Sequence, residues 1–209
     1  MTPTRWHLLR HAPAAVEKGT VYGRTDVPAL PQDPALLKQI AAQLPQSALL
    51  VTTPLRRTAE TAEMLEKAGW APGERIVEAG FAEQDFGAWE GTTHAALARE
   101  NTSDYVHFWD NPAQNRPPGG ESFADLMTRA STAFAMLTEA HPARDIVLIG
   151  HGGSIRAIVA AILGLSPENA LALEIAPLSL SLADHAGTEA ARGALSPWKL
   201  RGLNLRAGL

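Results

Sequence analysis

Basic side chains recur where apolar runs of this chain end. Arg10 and His11 close the run WHLL, Arg56 and Arg57 follow LLVTTPL, and His151 follows DIVLIG. Arg10 and His11 are adjacent and have no carboxylate beside them in sequence, so the anion that would neutralise them is expected to be a ligand. Thr53 to Arg57 and Gly152 to Ser154 both read as helix starts, which present unbonded N–H groups and the positive end of the helix dipole. Phosphate fits such a cradle. Spacing alone does not choose between Arg56 and Arg57, since both fall in the first turn of one helix.

The elements that must position these groups follow from periodicity. Arg5 to Leu9 reads as a strand, Ala35 to Leu44 as a short helix, and Ala48 to Val51 as a second strand. Thr53 serves as N-cap of the next helix, with Pro54 in its first turn and Gly69 as its stop. After a Pro-Pro-Gly-Gly turn, Ser122 with Asp125 three residues later predicts a capped helix to about Ala140. A strand over Ile146 to Ile149, a Gly-rich turn and a helix from Ser154 to Leu163 complete the alternation. The fold class is therefore α/β, a three-layer α/β/α sandwich with a mostly parallel sheet. LSLSLADH and SPWKLRGLN, flanking a Gly- and Ala-rich connection, read as an antiparallel edge. Residues 87–121 read as a cap-like helical insertion in a single domain spanning 1–209. In open α/β sheets ligands bind beyond the carboxyl ends of the strands, which is where the basic groups fall.

Composition narrows the function. The chain has 209 residues, no cysteine and a formal net charge of -4. A chain of this size buries about 70% of its unfolded surface in one core. The charge argues against nucleic acid as a partner, because non-specific binding there depends on surplus Lys and Arg. No run is long and apolar enough to span a bilayer. The N-terminus lacks the pattern of a secretory leader, and a cytoplasmic location is expected. No sequence feature decides the oligomeric state, and a homodimer is left open.

The segments LLRHA, TTPLRRTAETA, FAEQDFGAWEG and IGHGGSIRAI, in that order, resemble branch 1 of the histidine phosphatase superfamily, the phosphoglycerate mutase-like proteins. YGRTDVP and RPPGGESFADL are most similar to its alpha-ribazole phosphatase group, which acts late in cobalamin assembly. The resemblance implies that His11 is the nucleophile and becomes a phosphohistidine. It implies that Arg10, Arg57 and His151 clamp the transferring phosphoryl oxygens, helped by Gly152. The family pattern of Arg, three residues and Thr-Ala selects Arg57 over Arg56. Glu83 would protonate the leaving alkoxide and then deprotonate water, which needs phosphate oxygens beside it. The family's phosphate-binding Asn is absent, since position 17 is Glu. That leaves Tyr22 and Gly23, with Arg24, as substitute contacts and argues somewhat against a mutase.

Other readings stand beside these. Glu83 and Asp85 read equally as solvated loop carboxylates. Trp89, Phe108 and Trp109 form either an apolar lid over the substrate's organic part or the insertion's own small core. Glu121 is a further substrate contact or, with Ser122, a turn and cap residue. GHGGS without a G-x-S-x-G elbow makes a serine hydrolase improbable. His94, His107, His141 and His185 form no ligand pattern, and no metal or other cofactor is expected. The expected activity is a metal-independent phosphomonoesterase acting on a small-molecule phosphate ester, with alpha-ribazole 5′-phosphate as one substrate. The alternatives are a phosphoglycerate mutase and a non-catalytic phospho-ligand binding domain.

Overall fold

A computed structural model of the chain describes residues 2–187 and 196–207. Its six-stranded sheet has the order β3-β2-β4-β1-β5-β6. The strands are β1 (Thr4–Arg10), β2 (Leu49–Thr52), β3 (Arg75–Val77), β4 (Asp145–Gly150), β5 (Leu180–His185) and β6 (Trp198–Leu205). β1 pairs parallel with β4, and β2 pairs parallel with both β4 and β3. β5 runs antiparallel to β1 and to β6, which makes the antiparallel edge. The Gly- and Ala-rich connection between β5 and β6 lies outside the described residues from 188 to 195. β3 escapes periodicity because it is three residues long and largely exposed.

Alternation along the strands divides the core in two. Trp6, Leu8, Leu49, Val51, Ile146 and Leu148 face helices α5 (Phe123–Ala140) and α6 (Gly152–Leu163). Leu9, Leu50, Val147 and Ile149 face α1 (Pro34–Ala41) and α2 (Arg56–Lys67). Apolar side chains on both faces of the parallel strands require helices on both sides, hence three layers. Between β3 and α5 the chain carries α3 (His94–Glu100) and α4 (Ser103–Asp110), and α7 (Pro167–Ala170) follows α6.

Helix boundaries follow local chemistry. The Ser122 hydroxyl accepts from the Asp125 amide and the Asp125 carboxylate from the Ser122 amide, so the capping box forms as expected. α1 ends at Ala41, three residues short of the expected end. The expected cap of α2 is wrong. Thr53 does not cap it, because its hydroxyl turns to His151, and α2 starts only at Arg56. Asp26, from a loop thirty residues earlier, instead accepts from the Arg56 amide at 2.7 Å. α6 starts two residues earlier than expected, directly after His151, with its glycine pair as the first turn.

Candidate active site

β1, β2 and β4 end side by side, and their carboxyl ends bring the basic groups together. His11 leaves β1 almost fully buried, 1% exposed. Its Nδ1–H donates to the carbonyl of Ala12 at 2.5 Å. That bond assigns the tautomer and leaves the Nε2 lone pair without a partner among the described residues. The His151 ring stands 5.1 Å from it, centroid to centroid. Thr53 Oγ1 lies 2.9 Å from His151 Nε2, and Arg57 Nε donates to His151 Nδ1 at 3.3 Å.

Arg57 is 0% exposed. Its terminal nitrogens donate to the carbonyls of Thr25 at 3.0 Å and Gly23 at 2.7 Å, and its guanidinium lies 5.1 Å from the centre of the Tyr22 ring. Arg10 donates to the Ile175 carbonyl at 2.6 Å, while its Nε is buried without a partner. Among the described residues neither arginine forms an ion pair with a carboxylate. A fully buried cation, Arg57, and a partly buried one, Arg10, without a counterion favour an anionic guest, because an unpaired buried charge is destabilising.

These cations also set the protonation of the imidazoles. Burial, followed by Arg57 and Arg10, pushes His11 down to about 3, with the bond to Ala12 opposing. Burial, then His11, Arg57 and Arg10, hold His151 well below its ordinary value. Both rings are neutral at physiological pH, and neutral imidazole is the nucleophilic form.

Glu83 approaches this cluster from the loop after β3. The Gly153 amide at the start of α6 donates to its Oε1 at 3.1 Å and its Oε2 at 3.3 Å. A Cβ at position 153 would collide with Oε1, so only glycine admits the carboxylate there. Arg129 of α5 holds the loop's backbone, donating to the carbonyls of Gly80 and Ala82 at 2.8 Å and of Glu83 at 3.0 Å. Arg24 Nε adds a second donor to the Glu83 carbonyl at 2.9 Å.

Beside the cluster lies a cavity of about 350 Å³ walled by Trp89, Tyr105, Phe108 and Trp109. Trp89 and Phe108 are buried in an edge-to-face pair, centroids 5.1 Å apart, and pack the small core of α3 and α4. They line the cavity as well. Trp109 is half exposed at the wall.

A family profile decides what this constellation belongs to: the histidine phosphatase superfamily (branch 1) matches residues 6–193. The chain belongs to that superfamily. A phosphoglycerate mutase of Gloeobacter violaceus dependent on 2,3-bisphosphoglycerate is 29% identical over 131 residues, 61% of this chain and 60% of that one. A bifunctional protein of Mycobacterium tuberculosis is 29% identical over 177 residues, 83% of this chain and 45% of that one. The chain thus spans about half to three-fifths of the curated relatives it matches. Among solved structures, a mycobacterial glucosyl-3-phosphoglycerate phosphatase is similar with a TM-score of 0.79 and 27% identity, covering 97% of this chain and 99% of that one. The alpha-ribazole phosphatase of Shigella flexneri has a TM-score of 0.81 at 22% identity, covering 98% of each chain, a likeness of fold.

Within this site the expected residues fall unequally. His11, Arg10, Arg57, His151 and Glu83 converge, and Gly152 lies against the Arg10 guanidinium, 3.5 Å from where its Cβ would stand. Gly23 and Glu121 are held by the site's arginines. The Gly23 carbonyl accepts from Arg57, so this residue helps hold the clamp. Glu121 is taken by Arg129 at 2.5 Å and by the Asp85 amide at 3.0 Å, so it braces the Glu83 loop. Tyr22 covers Arg57, and Arg24 holds the Glu83 backbone. Arg56 is exposed and pairs with Glu60 at 2.7 Å. Glu17 is also exposed.

Sequence reasoning missed Thr53, Gly153, Arg129 and Glu90. Glu90 accepts from the amides of Arg24 and Thr25 at 2.7 and 2.6 Å, which fixes the loop over Arg57. Thr53 and Gly153 fall within the two cradles read from the sequence, but their contacts with His151 and Glu83 carry no sequence signal. Among the described residues no cluster of three or more His, Cys, Asp or Glu could hold a metal, and no helix is long and apolar enough to cross a membrane.

Proposed function

We propose that this protein is a phosphomonoesterase that hydrolyses a small-molecule phosphate ester through a phosphohistidine at His11, without a metal ion. One observation carries the reading: a fully buried Arg57 with no carboxylate partner among the described residues stands beside a neutral His11 whose Nε2 is bare. Arg10, Arg57 and the start of α6 receive the phosphoryl oxygens and supply the positive charge that a metal supplies elsewhere. The Nε2 lone pair forms a bond to phosphorus as the ester P–O bond breaks. The departing oxygen takes a proton from the Glu83 carboxyl. Water then attacks phosphorus, the carboxylate of Glu83 takes its proton, and the P–N bond breaks to release inorganic phosphate and neutral His11.

Hydrolysis is favoured over mutase chemistry by position 17, where an exposed Glu stands in place of the family's phosphate-binding Asn. A carboxylate there repels phosphate and does not help retain it for return to a second hydroxyl. The mutase remains the second reading because the Gloeobacter relative bears that name. The aromatic cavity beside Glu83 takes the organic part of the ester. The motifs shared with alpha-ribazole phosphatases make alpha-ribazole 5′-phosphate, and with it a place in cobalamin assembly, the first named candidate. A turnover panel of p-nitrophenyl phosphate, alpha-ribazole 5′-phosphate, glucosyl-3-phosphoglycerate and 3-phosphoglycerate, run with EDTA, tests the reading. Release of inorganic phosphate is expected. Interconversion of phosphoglycerates without release would identify a mutase, and binding of phosphate with no turnover would identify a non-catalytic domain.

A further inference from the structure

The aromatic cavity carries a charge that the phosphoryl-transfer chemistry does not use. Arg156 lines it, four residues into α6 and one turn beyond Gly153. Residues three apart on a helix share a face, so Arg156 follows directly on the amide that holds Glu83. Gln84 and Val21 line the same cavity, and each is the chain neighbour of a residue at the clamp, Glu83 and Tyr22. Two chain neighbours thus join the cavity wall to the clamp, and Glu83 and Arg10 both act on the charge of Arg156.

Arg156 Nε donates to the Leu173 carbonyl at 2.7 Å, which fixes the side chain along the cavity wall. Its two terminal nitrogens have no hydrogen-bond partner among the described residues, and no carboxylate lines the cavity. Burial disfavours its charge, with Glu83 the largest opposing influence. Glu83, anchored on the Gly153 amide, does not pair with it, and Glu174, the other nearby acid, is bound by Arg206 at 2.9 Å. A guanidinium held by its Nε presents its two remaining nitrogens as a fork, which matches the two oxygens of a carboxylate. In a chamber lined mostly by apolar side chains, an entering anion would stabilise such a cation further.

Resting on the phosphomonoesterase reading, we propose that Arg156 is a specificity-determining residue that binds a carboxylate on the organic part of the substrate, whose apolar or aromatic body lies against Trp89, Tyr105, Phe108 and Trp109. The substrate class is then a phosphate ester of an apolar or aryl organic acid, which ranks such an ester above alpha-ribazole 5′-phosphate, whose organic part carries no carboxylate.

The test compares kcat/KM for phenyl phosphate with that for its 2-, 3- and 4-carboxyphenyl analogues, in EDTA, for the wild type, Arg156→Met and Arg156→Lys. The wild type is expected to favour at least one carboxyphenyl isomer over phenyl phosphate tenfold or more, through KM. Arg156→Met is expected to bring that ratio near one, and Arg156→Lys to retain part of it. Leaving-group differences cancel, because the ratio is compared between proteins. A residue that merely braced Leu173 would lower both rates together and leave the ratio intact, which would overturn the proposal. So would a wild-type ratio near one for all three isomers, a result that needs no variant to fold. Failure to release phosphate from any ester would overturn the phosphomonoesterase reading itself and this inference with it.

Discussion

The Gly153 amide donates to both carboxylate oxygens of Glu83, at 3.1 and 3.3 Å, so the proposed proton donor rests on the first turn of the helix that follows His151. Gly153→Ala would put a methyl group onto Glu83 Oε1 and within 2.7 Å of Leu126 Cδ2. The backbone there is ordinary helix, so displacement of the carboxylate is the main effect. Single-turnover phosphorylation by alkyl phosphates is expected to slow tenfold or more, about 1.4 kcal/mol. p-Nitrophenyl phosphate, whose phenolate leaves without a proton, is expected to be spared. Equal losses for both ester classes would mean that Glu83 only shapes the site.

Arg57 and Arg56 are adjacent yet opposite in environment. Arg57 is buried on His151, Gly23 and Thr25, whereas Arg56 is exposed on Glu60. Arg57→Ala is expected to lower the rate about a hundredfold or more, as removal of one preorganised oxyanion donor does. Arg56→Ala is expected to cost less than about threefold, in line with an exposed ion pair. Steady-state kinetics that ranked the two in reverse would remove Arg57 from the clamp.

Folding holds His11 neutral, and stability must follow. The ring titrates near 6.5 in an unfolded chain and is pushed down to about 3 in the folded protein. Between those values the unfolded chain binds the proton and the folded one does not, so stability is full above about pH 6.5 and is lost as pH falls toward 3. Urea unfolding of the phosphate-free protein is expected to lose about 1.6 kcal/mol from His11 alone between pH 6.5 and 5. His11→Gln should flatten that slope, and parallel slopes in the two proteins would contradict the burial argument.

The strand ends were legible because each basic group follows an apolar run, which places Arg10, His11, His151 and the Arg56–Arg57 pair, whereas the choice of Arg57 within that pair came from the family pattern. Glu83 was legible only through family motifs, since AEQDFG looks like any solvated loop. What positions these groups was not legible. Thr53 reads as a helix cap, and only the approach of β4 to β2 brings His151 to its hydroxyl. Arg129 lies mid-helix, 46 residues from the carbonyl it fixes, and no local pattern encodes so long a reach. The pairing of Glu121 with Arg129 was not legible either, because it forms only once the helix carrying Arg129 has docked.

Arg129 is itself testable. It serves three backbone carbonyls and Glu121, with its side chain 22% exposed. Arg129→Met leaves all four acceptors short of a donor and is expected to destabilise the protein by about 2–4 kcal/mol in urea unfolding. Arg129→Lys should recover less than half, since an ammonium lacks the planar fork. A Lys variant as stable as wild type would show that charge alone matters here.

The central claim is the covalent bond between phosphorus and His11, and rapid quenching of the enzyme with phosphorus-labelled p-nitrophenyl phosphate in EDTA tests it most directly. The account predicts an acid-labile, base-stable phosphoenzyme formed within the first turnover, mapped by peptide mass spectrometry to His11 and absent from His11→Ala. Label of the same lability on the His11→Ala protein, or turnover by the wild type with no label on His11 at any quench time, would contradict it.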